Sequence, residues 1–342
     1  MRGLMLKAAT ALIAMSSVAL AQDDVATFYK GKQMRLIVGS SVGGGYDLYS
    51  RALARHIVNH IPGNPTIIVQ NLPAAGGMVM TNQLYNQGSK DGTVIAAPLN
   101  GIPTAPMLQQ GAQFDATKLN WLGSLNREAY VAFLWHTAPI AHIGELAKKE
   151  ILVGSTTVGT TMNDFPLLLN DLLGYRFKIV RGYKGTPDIN MATERGEIQG
   201  NGGVGLASVK TLSQPWIDDK KIRFVLQYNS QPSPELPGVP MVMDLAKTDE
   251  QRTAMRLLFA RTDYARPFFL PQDVPADRVQ ALRRAFDRTL KDPAFIAEAK
   301  KLQLDLLPMT GEALQALVGE LAQTPPAIVA RVKAALEAPA AK

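Results

Sequence analysis

The 342-residue sequence contains no cysteine and only four histidines. The absence of cysteine excludes disulfide bonds, thiolate metal sites and a lipid-modified cysteine that would tether an exported protein to a membrane. Beyond the first residues, Gly, Pro or charged residues interrupt every apolar stretch before it reaches the ~20 residues of a membrane-spanning helix. These absences favour a mature protein that lies free in an aqueous compartment.

The first residues have the pattern of an export signal. Arg2 and Lys7 precede an apolar run over residues 8–20, and small residues surround Ala21. The run is too short to span a bilayer, so we expect residues 1–21 to be removed as a signal peptide. An untethered exported receptor is useful only in a closed compartment, which favours the periplasm, although a freely secreted enzyme would also lack cysteine.

Charge is present in modest excess. The net charge is +7, and removal of Arg2 and Lys7 lowers it to +5. The basic residues are scattered, and no aromatic ladder interleaves them, which argues against a nucleic-acid partner. We expect a monomer without a cofactor.

Short β-branched runs alternate with amphipathic helical stretches, a pattern typical of mainly parallel sheets with crossover helices. Strands are predicted at Leu36 to Val38, Thr66 to Val69, Thr93 to Ala96, Tyr130 to Leu134, Ile151 to Val153, Lys178 to Val180 and Ile222 to Leu226. The last third predicts helices over residues 276–290 and 293–302. Val279, Leu282 and Phe286 are spaced to form one buried stripe.

The length favours two lobes, because 321 residues after residue 21 exceed what one hydrophobic core usually organises. The proline-rich segment 231–240 and a segment near residues 121–125 are predicted to connect the lobes. Lobe 1 would then comprise residues 22–123 and 233–342, and lobe 2 residues 124–232. The predicted fold class is α/β, with each lobe a mainly parallel sheet flanked by helices.

Two segments share one local pattern, LIVGSSVGGGYDLYSRAL from Leu36 and ILVGSTTVGTTMNDFPLLL from Ile151. Each is an apolar strand, then Gly-Ser with further glycines and hydroxyls, then an amphipathic helix. Such a loop leaves backbone N–H groups at a helix N-terminus, where the helix dipole favours an anion. Hydroxyl donors are available from Ser40, Ser41, Thr156, Thr157, Thr160 and Thr161. The alternative is that both loops are ordinary turns between strand and helix.

Four segments together resemble the Bug family, the periplasmic receptors of tripartite tricarboxylate transporters. They are KQMRLIVGSSVGGGYDLYSRALARHI from Lys32, IIVQNLPAAGG from Ile67, RGYKGTPDINMATERGEIQGNGG from Arg181 and FFLPQDVPADRVQALRRAFDRTLKDPAF from Phe268. The similarity extends over nearly the whole mature chain and lies in the order and spacing of the segments.

This resemblance implies a two-lobed periplasmic-binding-protein clamshell, type II-like, that closes on a small carboxylate and delivers it to a membrane permease. Carried over by position, the ligand contacts would be Ser40, Ser41, Val42, Gly43, Gly44, Gly45, Ala75, Gly76, Thr157, Val158, Gly159, Thr160 and Thr161. Asp47 matches an acidic or polar family position, and its alternative role is to cap the helix. The sequence departs from the family pattern at residues 126–128 and at Gly202 and Gly203, which leaves the ligand open.

Two further residues are ligand-binding candidates. Gly203 lies in the glycine-rich stretch that departs from the family pattern. Arg127 follows an apolar segment near the predicted hinge, where its guanidinium could bind a second carboxylate of the ligand in a fork geometry. The alternative for Arg127 is an ion pair with Glu128 or another acid.

Specific motifs in the sequence suggest other functions. Residues 39–43 fit the G-x-S-x-G pattern of a secreted serine hydrolase with Ser41 as nucleophile, but the last histidine of the chain is His142, far from the end where such enzymes usually place it. His56 and His60 have metal-ligand spacing without the glutamate of H-E-x-x-H, so no metal is expected. A carboxylate sensor that docks on a signalling protein is a further alternative.

One segment has the glycine spacing of a nucleotide-binding motif. Residues 200–205 fit G-x-G-x-x-G, but only a short segment precedes them where a buried strand is required. The match is interpreted as accidental.

Overall fold

The computed structural model describes residues 24–156 and 158–337. The chain forms two compact units. Unit 1 comprises Met1–Pro106, Gly111–Asn126 and Arg266–Gly319, and unit 2 comprises Met107–Gln110, Arg127–Ala265 and Glu320–Lys342. The predicted signal peptide, residues 1–21, lies outside the described residues. Within those residues, no helix is long and apolar enough to cross a membrane.

Unit 1 is built on a six-stranded mixed sheet. Its strands are β1 (Gln33–Val38), β2 (Thr66–Asn71), β3 (Val94–Ala97), β4 (Asn120–Ser124), β10 (Pro267–Leu270) and β11 (Met309–Thr310), in the order β11-β4-β10-β3-β1-β2. The strands β3, β1 and β2 are parallel, whereas β10 runs antiparallel to β3 and β4.

The helices of unit 1 bury the apolar face of this sheet. They are α1 (Gly45–Ile57), α2 (Met78–Gln87), α3 (Ala105–Leu108), α8 (Ala276–Thr289), α9 (Pro293–Lys301) and α10 (Gly311–Ala322), of which α3 and α10 continue into unit 2. Leu53 and Ile57 of α1 are fully buried with Leu36, Phe286 and Phe295 in one core. Leu48 of α1 is 39% exposed.

Unit 2 contains a five-stranded mixed sheet. Its strands are β5 (Tyr130–Trp135), β6 (Ile151–Gly154), β7 (Phe177–Val180), β8 (Gly200–Gly205) and β9 (Ile222–Gln227), in the order β7-β6-β8-β5-β9. Its helices are α4 (Thr161–Leu173), α5 (Thr186–Glu194), α6 (Leu206–Asp218), α7 (Asp249–Phe259) and α11 (Pro326–Glu337). The face of α4 predicted to be buried, including Phe165 and Leu169, is buried.

The predicted α/β class, with two sheets flanked by helices, is confirmed. The sheets are mixed and not mainly parallel, because β6, β7 and β8 are parallel while β5 runs antiparallel to both β8 and β9. The seven predicted strands and the helices predicted over residues 276–290 and 293–302 are all present within three residues of their expected ends.

The compact units differ from the predicted lobes at the second boundary and in two further segments, Met107–Gln110 and Glu320–Lys342, which belong to unit 2. The first division, after Asn126, lies three residues beyond the predicted one, but the second lies after Ala265 and not after residue 232. The proline-rich segment 231–240 belongs to unit 2, because Gln227 Nε2 donates to the Val239 carbonyl (2.7 Å) and Gln227 N donates to the Pro240 carbonyl (2.9 Å). The segment therefore folds back along β9.

Candidate functional site

Loop A, residues 39–44, connects β1 to α1 at the carboxyl end of the parallel part of the sheet. Gly39 N donates to the Ala97 carbonyl at 2.9 Å, which fixes the start of the loop against β3. Gly43 has φ +83°, a conformation that favours glycine, and its N–H donates to Asp47 Oδ2 at 2.9 Å. The loop is thus tied to the first turn of α1.

The buried carboxylate of Asp47 stabilises loop A. Its carboxylate is 1% exposed and accepts hydrogen bonds from Arg51 Nε and Asn71 Nδ2, each at 2.9 Å from Oδ1. Burial acts to raise the pKa of Asp47, but the hydrogen bonds from Arg51, Gly43 and Asn71 outweigh it and hold the pKa below its ordinary value. Asn71 Nδ2 also donates to the Ser40 carbonyl (2.9 Å). Asp47 is therefore engaged as a support of the loop, and Gly44, without a side-chain cap, is the N-cap.

The outer side of loop A is open. Ser41 through Gly45 are exposed, and the side chain of Val42 is 72% exposed. Within residues 24–156 and 158–337, the backbone N–H groups of Ser41, Val42 and Gly44 have no hydrogen-bond partner. Loop A therefore presents unsatisfied donors at the N-terminus of a 13-residue helix.

A second loop of unit 1 lies against loop A. Ala75, Gly76 and Gly77 have φ of +47°, +62° and +88° in succession before α2 begins. A Cβ atom on Gly39 would lie 2.8 Å from the Gly77 Cα, so the two loops pack backbone to backbone. The predicted contact residues of loop A thus lie beside Ala75 and Gly76, at the ends of the neighbouring strands β1 and β2.

Sequence reasoning missed Arg266 and two tyrosines at the start of α1. The Arg266 guanidinium carbon lies 4.5 Å from the Tyr46 ring centroid and 5.2 Å from that of Tyr49. A Cβ on Gly45 would lie 3.4 Å from Arg266 Nη2. No sequence signal indicated this cluster, because Arg266 is more than two hundred residues from its aromatic partners.

Loop B connects β6 to α4 in unit 2 and is described here by Ser155, Thr156 and residues 158–160, because Thr157 lies outside the described residues. Gly159 has φ +86°, and its N–H donates to Asp164 Oδ1 at 3.1 Å. Asp164 is 1% exposed, and its Oδ2 lies 3.1 Å from Arg261 Nη1. Loop B therefore repeats the arrangement of loop A, including an exposed valine, Val158, at its tip.

Gly203 of β8 packs against Thr161, the first residue of α4. The Thr161 hydroxyl donates to the Gly203 carbonyl at 2.7 Å, and Gly203 N donates to Asn201 Oδ1 at 3.0 Å. Gly203 is buried in β8, where a Cβ atom would collide with the Thr161 carbonyl. Gly203 thus provides space for the N-terminus of α4 to pack on the sheet.

Arg127 occupies the first position of unit 2 after Asn126 and is exposed. Within the described residues it makes no ion pair, so the alternative of a salt bridge with Glu128 is not observed there. Residues 200–205, the formal G-x-G-x-x-G match, form the buried strand β8 and not a phosphate-binding loop.

His56 of α1 and His60, three residues beyond its end, are engaged with acids of unit 1. His56 Nε2 lies 2.6 Å from Glu298 Oε2, and His60 Nε2 lies 2.9 Å from Asp292 Oδ2. Across the described part of the chain, no group of three or more His, Cys, Asp or Glu residues could hold a metal ion.

Each of the two α/β units places a glycine loop, tied to a buried aspartate, between a strand and the N-terminus of a helix, an arrangement that can hold an anion. Residues 51–334 match the tripartite tricarboxylate transporter family receptors, and the chain belongs to this family. The resemblance inferred from the sequence is confirmed.

Individual relatives support the same assignment. A protein of Cupriavidus necator described as "UPF0065 protein in gbd 5'region" is 24% identical over 336 residues, which cover 95% of this chain and 94% of that protein. A TctC solute-binding protein from Polaromonas, solved without ligand, is similar with a TM-score of 0.68 and 20% identity, over 90% of this chain and 98% of that one. MatC from Rhodopseudomonas palustris, solved with bound malate, has a TM-score of 0.61 and 17% identity, over 89% and 99% of the two chains. These likenesses show the fold.

Proposed function

We propose that this protein is a periplasmic receptor that captures a small organic carboxylate and delivers it to the membrane permease of a tripartite tricarboxylate transporter. The observation that carries the proposal is the repeated loop, in which a left-handed glycine is tied to a buried aspartate while neighbouring residues stay exposed at a helix N-terminus. Membership of a transporter receptor family and malate in a structural neighbour support it.

The chemistry of loop A suits a carboxylate. The two oxygens of a ligand carboxylate would accept hydrogen bonds from the N–H groups of Ser41, Val42 and Gly44. Each such charge-assisted hydrogen bond contributes about 1.5–3 kcal/mol. The exposed side chains of Val42 and Val158 offer apolar contact to the organic part of the ligand. In this proposal Asp47 and Gly203 shape the loops, and the exposed residues make the contacts.

The proposed contacts are taken from the residues predicted from the sequence and are exposed or half-buried. They are Ser40, Ser41, Val42, Gly43, Gly44 and Gly45 of loop A, Ala75 and Gly76 beside it, and Val158, Gly159 and Thr160 of loop B, with Thr161 behind them. The engagement of His56 with Glu298 and of His60 with Asp292 argues against either ring as a base for Ser41. We therefore propose binding without turnover.

A thermal-shift titration tests the proposal with malate, succinate, adipate, citrate, benzoate and aspartate as probes. An acid at about 100 times its dissociation constant stabilises the folded protein by about 2.7 kcal/mol, which raises the melting temperature. Gly44→Val is expected to abolish the shift without lowering the melting temperature of the free protein by much, because Gly44 is exposed with φ −78° and its Cβ would meet only the Ser41 carbonyl at 3.6 Å.

The matched control is Gly319→Val, at a glycine outside both loops with no atom near its Cβ position. This variant should keep the ligand-induced shift. Absence of a shift with every acid, or ester hydrolysis that Ser41→Ala abolishes, would overturn the proposal. Repeating the titration with Gly159→Val tests whether loop B contributes to ligand binding. Mass spectrometry of a periplasmic extract should find a mature chain that begins near Gln22.

A further inference from the structure

Arg181 is fixed beside loop B by the backbone. It directly follows β7, and its neighbours on both sides bond to the loop region: Ser155 N donates to the Val180 carbonyl (2.8 Å), and Gly182 N donates to the Thr156 carbonyl (3.1 Å). These two bonds hold the Arg181 main chain against the end of β6. The position of its side chain is therefore determined by the sheet and not by a free loop.

The Arg181 guanidinium is only partly satisfied. Its Nε donates to Asn163 Oδ1 at 2.6 Å, and Asn163 Nδ2 donates in turn to Asp164 Oδ1 at 3.0 Å. Arg181 Nη2 is buried without a hydrogen-bond partner, and Arg181 makes no ion pair within the described residues. An unpaired buried donor on a cation is costly, so this site is incomplete without an acceptor.

Ser155 provides a second unsatisfied donor in the same place. It is 0% exposed, and its hydroxyl has no partner in the described part of the chain. Gly154 and Val180 are paired in the parallel register of β6 and β7, so the residues that follow them, Ser155 and Arg181, lie on the same face of the sheet. Ser155 and Arg181 thus each carry an unsatisfied donor at the carboxyl end of this sheet.

The buried aspartate beside each loop is paired with an arginine. Beside loop A, the carboxylate of Asp47 forms an ion pair with Arg51. Beside loop B, the carboxylate of Asp164 forms an ion pair with Arg261, and Arg181 adds a further positive charge. Solvent reaches part of the Arg181 side chain, because the residue is half-buried.

We propose that Arg181, assisted by Ser155, is a specificity-determining residue that binds an ionised carboxylate of the ligand at loop B. This inference rests on the proposed function and narrows its ligand class to acids that place a fully charged, planar group there. The fork of N–H donors on a guanidinium matches the two oxygens of a carboxylate, whereas a neutral amide or ester cannot balance the charge.

The test measures dissociation constants by calorimetry for acids and their neutral amides: succinate and succinamide, adipate and adipamide, benzoate and benzamide. Arg181→Gln is expected to weaken binding of the preferred acid by about 10- to 100-fold and to reduce the preference for acid over amide by a similar factor. Ser155→Ala should have a smaller effect in the same direction. Arg181→Lys, which keeps the charge without the fork, should retain part of the preference.

The matched control is Arg176→Gln, which removes the same charge from an exposed position just before β7. It should leave both affinities within about twofold of the wild type. Melting temperatures measured without ligand verify that each variant is folded. If Arg181→Gln leaves affinity unchanged, or weakens acid and amide equally, the proposal fails while the proposed function stands. If the wild type binds none of the acids, the proposed function fails and this inference with it.

Discussion

Loop A and loop B use the same device with different partners. In loop A the aspartate is bonded by Arg51, one turn along the same helix and with its side chain 36% exposed. In loop B the partner is Arg261, 97 residues away in the chain, and both side chains of the pair are 2% exposed. The ion pair of the first loop is therefore local in the sequence, whereas that of the second depends on the completed fold of unit 2.

Removal of the aspartates should give the largest difference between the loops. Asp164→Ala leaves Arg261 buried without its counter-ion and is expected to lower the free energy of unfolding by about 3–5 kcal/mol. Asp47→Ala is expected to cost only about 1–3 kcal/mol, because Arg51 can turn to solvent. Urea unfolding at pH 7 measures both. An equal or larger loss for Asp47→Ala would contradict the comparison.

The left-handed glycines should behave alike. No atom lies within 4 Å of a Cβ on Gly43 or Gly159, so Gly43→Val and Gly159→Val strain only the backbone, by about 1–3 kcal/mol each. Gly44→Ala is the control, since φ of −78° suits any residue. Thermal unfolding of the three variants provides the measurement. A loss for Gly44→Ala as large as that for Gly43→Val would show that strain at positive φ is not the cause.

The smallest predicted effect is on how the free energy of unfolding depends on pH. The pKa of Asp47 is lowered in the folded state, so its contribution to stability is complete above the unfolded value of about 3.9 and is lost as pH falls through the lower folded value. Asp47→Asn should therefore show a shallower decline of the free energy of unfolding below about pH 4 than the wild type. Asp219→Asn, at an exposed acid, should keep the wild-type slope. Identical slopes for Asp47→Asn and the wild type would refute this assignment.

Much of the fold could be predicted because its signals are local. The strand–loop–helix pattern around residues 36–57 and 151–173 depends on apolar periodicity and glycines that lie close together in the sequence. The strand β8 could not be predicted in this way, since Gly200–Gly205 has the composition of a loop. It forms a central strand because Gly202 and Gly203 give α4 room to pack, with Pro166 and the Thr161 carbonyl in the space that side chains would occupy.

The candidate site was predictable to the same extent. Glycine and hydroxyl positions indicated both loops, and Asp47 was visible within its motif. The groups that support the loops were not, because Asn71, Arg261 and Arg181 reach them through tertiary contacts. The proline-rich segment 231–240 was interpreted as a connection between lobes, since prolines alone do not reveal that Gln227 binds the segment back to its own unit.

The backbone contact between Gly39 and Gly77 limits how this receptor can be re-engineered. A Cβ on Gly39 would collide with the Gly77 backbone, and φ of +88° at Gly77 favours glycine, so a library of variants should keep both glycines. Diversity is better placed at Ser41, Val42 and Ala75, which are exposed. A biosensor for a new acid would start from these three positions.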